Sequence, residues 1–442
     1  MFHRVKTSLF ALFRNFKSSI WVVPALISVL FFGLIIFILV IHSPDHEYIV
    51  LKIIPYADIT NADTARALIT TILAGTISLI IFSFTMMMFV LNQAASNYSS
   101  KVLGGLISQR SNQIVLGVYI GTVIYTIILL MQIKEGDYYE DVPHIGIFLC
   151  VVIFIFCLIL FVKFINNIYS SVQIYSVIET IYNQTKKQLL KEPEQKEDKS
   201  KIFVKEWFDN ISSKSGYFQA ISDDTLLKLA CKHDLVIQAI PPRGFYHVAG
   251  APLFRLSKKI IDKDILSQIE DGFVFYTGEN IKDNYFYGLR QLSEVAIQAL
   301  STGINAPGTA IACLDFLSDL FSIRMKQNHT KIRTDKDGNT KIIVPEVYIN
   351  ELLEICISPI RGYGKKDVNL LLALFNFIKR LTYNDPEQKY QELLTHHVLA
   401  IYEDAFKGLE NSMDKKSIKE KVRELKNLPS NYFIELNLQP HF

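Results

Sequence analysis

ALITTILAGTISLIIFSFTMMMFVLNQAAS, residues 67–96, is apolar for long enough to cross a bilayer as a helix, yet a polar or small residue returns through it at every seventh position. Thr64, Thr71, Ser78, Thr85, Asn92 and Ser99 make up that row. A seven-residue repeat stays in register along one face of a slightly supercoiled helix. The row therefore predicts a hydroxyl-lined face that meets another helix or water rather than lipid tails.

Outward from that stretch, apolar residues concentrate before residue 166, and four segments reach bilayer length: 21–41, 65–91, 114–133 and 145–165. The first has no small-residue exit behind it and reads as a retained anchor rather than a secretory signal. The second is long enough to require tilt. Lys163 ends the fourth, where a long cationic side chain reaches the interface. Short loops rich in Lys and Arg stay in the cytoplasm. Arg4, Lys6, Arg14 and Lys17 precede the first segment, Lys101 and Arg110 lie between the second and third, and Lys186, Lys187 and Lys191 follow the fourth. The other two loops carry only Lys52 and Lys134, together with Asp45, Glu47, Asp58, Asp63, Glu135, Asp137, Glu140 and Asp141. Both termini are expected in the cytoplasm, with the chain passing several times through the membrane.

The 442 residues are half apolar and carry a formal charge of +3, a membrane part averaged with an aqueous one, and nothing in them points to nucleic acid. Cys150 and Cys157 fall in the fourth segment, whereas Cys231, Cys313 and Cys356 fall in the aqueous part, so no disulfide framework is expected. Phosphate loops, dinucleotide fingerprints, HExxH, CxxC pairs and nucleophile elbows are all absent from the sequence. His396 and His397 point about 100° apart on a helix, poor geometry for joint metal ligation. His247 has no second ligand at metal spacing and reads as a structural histidine. We expect no cofactor, no metal site and no enzyme.

The aqueous part divides by pattern. Residues 166–190 predict an amphipathic helix leading out of the bilayer, and the charged run 191–201 reads as a linker. Residues 201–280 predict a β-rich subdomain, with strands at 216–221, 235–240, 245–248 and 272–277 around a helix at 225–233. The stretch GFYHVAGAPLF, 244–254, reads as a glycine hairpin similar in shape to those of biotinyl and lipoyl-type sandwiches. Residues 281–430 predict a helical subdomain interrupted by a hairpin at 331–344, before a tail at 431–442. Within it Gly303 is expected to end one helix in a left-handed conformation, Asn305 to cap the next, and Pro307 to fill its first turn. The fold class is thus multi-domain: a four-helix transmembrane domain, residues 1–165, followed by a cytoplasmic α+β domain.

Three stretches together resemble the bacterial membrane-protein family catalogued as domain of unknown function 2254, and the likeness spans nearly the whole chain. They are NQAASNYSSKVLGGLISQRSNQIVLGVYIGTVIY (92–125), SGYFQAISDDTLLKLACKHDLV (215–236) and YGLRQLSEVAIQALSTGINAPGTAIACLDFL (287–317). The resemblance implies a polytopic inner-membrane protein with a cytoplasmic domain, and marks Gly288, Arg290, Gln291, Asn305 and Pro307 as structural motif residues. This chain departs from the family where Ala306 replaces the aspartate of Asn-Asp-Pro. It departs again where Pro242, Arg243, Gly244 and Phe245 stand at the family's Pro-Gly-Asp.

The four segments hold no Asp, Glu, Lys or Arg in their interiors, which disfavours a carboxylate relay and active transport. What polarity remains is neutral: the row on the second segment, and Tyr119, Thr122, Tyr125 and Thr126 on the third. Gly117 and Gly121 give the third a close-contact face for a neighbouring helix, a candidate contact between copies. Four helices do not readily enclose a pore alone. The expected function is a passive ion or small-solute channel formed by a homo-oligomer, lined by Thr71, Ser78, Thr85 and Asn92 and regulated by the cytoplasmic domain. The alternative is a non-conducting membrane-anchored scaffold or sensor whose cytoplasmic domain binds a protein or a small ligand.

Overall fold

The structure, a computed structural model, describes residues 22–41, 61–97, 110–133, 143–191, 204–276, 281, 284–428 and 432–433. The basic N-terminal stretch, most of the loop charges that set orientation, most of the charged linker and most of the tail lie outside the described residues. The chain divides into two units, Met1–Gln173 and Ile174–Phe442.

Among the described residues the first unit contains four helices: α1 (Val22–Ile41), α2 (Ala62–Asn97), α3 (Arg110–Gln132) and α4 (His144–Val172). Among the described residues three stretches are long and apolar enough to cross a membrane, Ala62–Val90, Arg110–Gln132 and His144–Tyr169. These are three of the four expected spans, and the apolar helix at the first position is described over Val22–Ile38. Asn61 caps α2, its Oδ1 accepting from the backbone of Asp63 at 2.8 Å and Thr64 at 3.0 Å, which starts the helix a turn before the apolar pattern does. At about 1.5 Å per residue, α2 exceeds a hydrocarbon core of about 30 Å by several turns. α3 packs against α1, α2 and α4, and α2 also packs against α4. α1 approaches α3 closely because Gly117 and Gly121 have no side chains: a Cβ at Gly117 would lie 2.9 Å from the Pro24 backbone, and one at Gly121 2.7 Å from the Phe31 ring.

The second unit begins with α5 (Ile174–Leu189), separated from α4 by Gln173 alone, whose extended backbone interrupts the continuous helix expected there. Strands β1 (Phe208–Ile211), β2 (Gly216–Ile221), β3 (Ile237–Ala239), β4 (Tyr246–His247), β5 (Pro252–Leu256) and β6 (Phe273–Tyr276) follow, with α6 (Asp223–Lys232) after β2 and α7 (Lys263–Asp271) before β6. Next come α8 (Tyr285–Ala299), α9 (Pro307–Met325), β7 (Thr330–Thr334) and β8 (Thr340–Pro345). Five further helices follow among the described residues: α10 (Ile349–Cys356), α11 (Ser358–Gly364), α12 (Val368–Thr382), α13 (Gln391–Gly408) and α14 (Ser412–Lys426).

Five strands form one sheet in the order β1-β5-β3-β8-β7, and three form another in the order β4-β2-β6. All pairings are antiparallel except β3 with β8. Hairpin β7–β8, embedded in the helical stretch, thus completes the sheet begun by β1, β3 and β5. Its turn is built by Asp335, whose Oδ1 accepts from the backbone of Asp337 at 3.0 Å and Asn339 at 2.8 Å, with Gly338 at φ +83°. Phe218, Leu226, Ile237, Phe254, Ile342 and Val344 lie in the core between these strands and α6.

Two local expectations are corrected. The stretch 244–254 is not a hairpin: β4 pairs with β2 in the small sheet while β5 pairs with β1 and β3 in the large one, so the chain changes sheets at Gly250. The likeness to carrier sandwiches falls with it. Asn305 does not cap α9. Ala306 occupies that position without a side-chain bond, and Asn305, instead of Gly303, takes the left-handed backbone at φ +47°. Pro307 fills the first turn of α9 as expected.

Candidate functional site

The outward face of α2 carries the row read from the sequence. Thr71, Ser78, Thr85 and Asn92 are all exposed on the single chain. Each hydroxyl donates to the carbonyl one turn back: Thr71 to Ala67 at 2.7 Å, Ser78 to Ala74 at 2.9 Å and Thr85 to Ile81 at 2.9 Å. Such bonds place the proton on the helix's own backbone and leave the oxygen lone pairs facing outward. The row is therefore a ladder of acceptors. Ala67 and Ala74 share this face, which is narrow enough for close approach of another helix.

A second row of hydroxyls, not recognised in the sequence, lies on the inward face. Thr76 and Ser83 are buried, one heptad apart, and Thr76 donates to Ile72 at 2.8 Å. The outward row obscured this pair, although the same seven-residue spacing was there to be read. Opposite them α3 buries Asn112, Tyr119 and Thr126, also seven apart, with Thr122 and Tyr125 between. Tyr119 donates to the Cys157 carbonyl at 3.3 Å and Tyr125 to the Gly146 carbonyl at 2.9 Å. Thr122 bonds back to Val118 at 2.7 Å and lies 3.4 Å from the Cys157 sulfur. Near the start of α3, Asn167 of α4 donates to Ser111 at 2.8 Å. The polar groups of α3 thus face into the unit and serve its packing. The glycine face of α3 is filled by α1 of the same chain, which corrects the expectation that Gly117 and Gly121 meet a second copy.

In the second unit the motif residues have structural positions. Gly288 lies where α8 crosses α5: a Cβ there would sit 1.8 Å from the Thr185 hydroxyl, which closes its own bond to Ile181. Gln291 is buried, and Arg290 pairs along the helix with Glu294 at 3.4 Å. Asn305 is exposed. A buried charge cluster joins sheet to helices. Glu346, just past β8, pairs with Arg243 and accepts from the Tyr285 hydroxyl at 3.1 Å. Arg324 of α9, 1% exposed, donates to Tyr285 at 2.9 Å, to the Val347 carbonyl at 2.9 Å and to the carbonyls of Gln327 and Asn328. Burial pushes the Tyr285 hydroxyl well above its ordinary pKa, so it stays protonated and donates to the carboxylate. Sequence reading missed this cluster, whose members lie far apart along the chain.

Three histidines of this unit are held neutral by burial. His247, 5% exposed beside Phe275, has its pKa lowered. His329, which meets the Tyr390 hydroxyl at 3.0 Å, and His397, near Arg361, are each pushed down to about 4. Among the described residues no three His, Cys, Asp or Glu side chains are arranged to hold a metal ion.

No solved structure matches the chain. An uncharacterized protein of Mycobacterium bovis and one of Mycobacterium tuberculosis are each 22% identical to it over 344 residues, a match covering 74% of this chain. The chain spans 65% of the length of those relatives. Residues 17–380 match the family described as predicted membrane protein (DUF2254), which covers the three crossing-length helices and most of the second unit. The chain belongs to that family of predicted membrane proteins.

Proposed function

We propose that this membrane protein assembles into a homo-oligomer that conducts a cation passively along the outward row of α2, with the Ile174–Phe442 unit as its regulatory part. The protein resides in a bacterial inner membrane with both termini in the cytoplasm, and it is not an enzyme. The outward exposure of Thr71, Ser78, Thr85 and Asn92 carries the reading. Hydroxyls that spend their protons on Ala67, Ala74 and Ile81 present only acceptors, which suit a partly dehydrated cation and not an anion. The small residues Ala67, Thr71, Ala74 and Ser78 favour helix contact between copies. Acidic residues flanking the crossing segments raise the local cation concentration.

Reconstitution into liposomes with ion-flux measurement tests this. Wild type conducts cations, and Ser78→Leu, which replaces an acceptor by apolar bulk, abolishes the flux. Liposomes that stay tight across ions, voltages and pH overturn conduction. The same back-bonds also favour a second reading: hydroxyls already satisfied by the helix form a dry contact between copies, leaving a non-conducting anchor for a second unit that binds a protein or small ligand. Tight liposomes from a protein that is still oligomeric select it.

A further inference from the structure

α14 sorts its charges onto two sides. It buries Ile418, Val422 and Leu425 against its unit, and Lys415, Lys419, Arg423 and Lys426 follow one another at spacings of four, four and three, so they share one flank of that buried stripe. The acids form a separate row. Glu420 pairs with Lys416 at 3.9 Å, and Glu424 pairs with Lys379 and with Lys421 at 2.6 Å. Among the described residues none of the four cations on the flank is in an ion pair with a carboxylate, and all four are exposed or half-buried. Two of them have an aromatic ring instead. Lys415 and Lys419 stand over the Phe406 ring of α13, at 5.9 and 5.4 Å from its centre, and Phe406 meets the half-buried Tyr402 one turn earlier with ring centres 4.5 Å apart. An ammonium held by a ring keeps its N–H donors free for an anion.

We propose that the flank of α14 formed by Lys415, Lys419, Arg423 and Lys426, with the Phe406 and Tyr402 rings of α13 beside it, docks on the anionic headgroups of a lipid bilayer. Lipid phosphates take the cations, and the rings settle at headgroup depth, the level that amphipathic aromatic side chains favour. At about 1.5 Å per residue the row runs about 17 Å, a straight edge that matches a flat array of phosphates rather than a single ion. A basic surface alone holds a membrane weakly and needs a second anchor. The same chain carries three crossing-length helices, so the row meets lipid at high effective concentration. Docking makes the placement of the second unit respond to lipid charge and to salt. It does not depend on the outward row of α2 and stands whether or not that row conducts.

Acetylation by a membrane-impermeant N-hydroxysuccinimide ester, followed residue by residue by mass spectrometry, tests this on the full chain in nanodiscs of phosphatidylcholine alone or mixed with phosphatidylglycerol. Lys416 is the internal control, since it lies on the same helix in the acidic row. In the anionic discs Lys415 and Lys419 are expected to react several-fold more slowly, relative to Lys416, than in the neutral ones. High salt closes that difference, and so does Arg423→Glu, which reverses one exposed charge of the row. Equal ratios in the two lipids overturn the proposal, including the case in which both lysines are slow in both, the mark of a protein surface over the row. Slowing of Lys416 to the same degree also overturns it, because the potential of the membrane surface then acts on every lysine alike. So does a difference that survives high salt or Arg423→Glu. The wild-type comparison between lipids stands by itself if the variant chain fails to fold.

Discussion

The two units satisfy their buried polar groups by opposite means. In the first, most side-chain bonds are local: Ser28, Thr71, Thr76, Ser78, Thr85, Thr122 and Thr126 each close onto a carbonyl one turn away. In the second, charged groups reach across the fold, from Arg243 to Glu346, from Tyr285 to Glu346 and from Arg324 to Tyr285 and the Val347 carbonyl. The surroundings explain the difference. A helix in lipid has no water to compete for its side chains and gains by satisfying them on its own backbone, whereas the packed core of sheets and helices in the second unit tolerates a charge only when partners converge on it. The first unit should therefore tolerate loss of single polar groups, and the second should not.

The largest break in that comparison is expected at Glu346. Glu346→Leu removes the carboxylate that Arg243 pairs with and strands the Tyr285 hydroxyl, at a cost of about 3–5 kcal/mol, the range for breaking a buried pair. Chemical denaturation of the full chain in detergent, followed through the tryptophans of the two units, checks it. A loss below about 1 kcal/mol would place this pair in the class of surface ion pairs and remove the contrast. Gly288→Val comes next. Its side chain must displace Thr185, an overpacking cost of about 2–3 kcal/mol, and α5 should become cleavable by protease while the crossing helices stay protected.

Acid sharpens the contrast between units. His329 and His397 have folded pKa values near 4 against about 6.5 when unfolded, and His247 is shifted the same way. Below 6.5 the unfolded chain takes up protons that the folded chain refuses. Stability is thus full above pH 6.5 and falls as pH drops toward 4, by about 2 kcal/mol for His329 after allowance for its partial solvent access. Melting of the full chain between pH 8 and 4 should show that decline, and His329→Gln should flatten it. An unchanged pH profile in His329→Gln would show that this histidine is not held neutral by its surroundings.

Legibility followed the same division. Crossing helices declare themselves by composition, so α2, α3 and α4 were visible, and the outward row on α2 was visible because heptad spacing needs no partner to be seen. The inward pair Thr76 and Ser83 has that spacing too, but which of two polar rows faces the bundle depends on α3 and α4. Strands β2, β4 and β6 and the β7–β8 hairpin were readable from alternation and turn residues. The parallel pairing of β3 with β8 was not, because about a hundred residues intervene and alternation names no partner. β1 is short and went unseen. α7 was overlooked although Asp262 caps it, its side chain accepting from the backbone of Asp264 at 2.9 Å. The Arg243, Glu346, Tyr285 and Arg324 cluster left no local trace, since Arg243 falls at a motif position only as a departure from it and the other three sit in no motif or repeat.

The smallest expected effect tests the membrane half of the comparison most directly. Tyr119→Phe removes a bond that crosses from α3 to α4, for which about 1 kcal/mol is the expected loss. Thr71→Val, Ser78→Ala and Thr85→Val each remove only a bond from a side chain to its own helix, and each should change stability by less than about 0.5 kcal/mol. Thermal melts of the four variants in one detergent rank them, and oligomeric state measured alongside separates packing from assembly. If the triple variant on the outward row is as stable as wild type yet dissociates into single chains, the row exists for contact between copies and not for the fold of one. If it melts well below Tyr119→Phe, the outward hydroxyls carry bonds to a partner that the single chain lacks, and local satisfaction no longer distinguishes the first unit from the second.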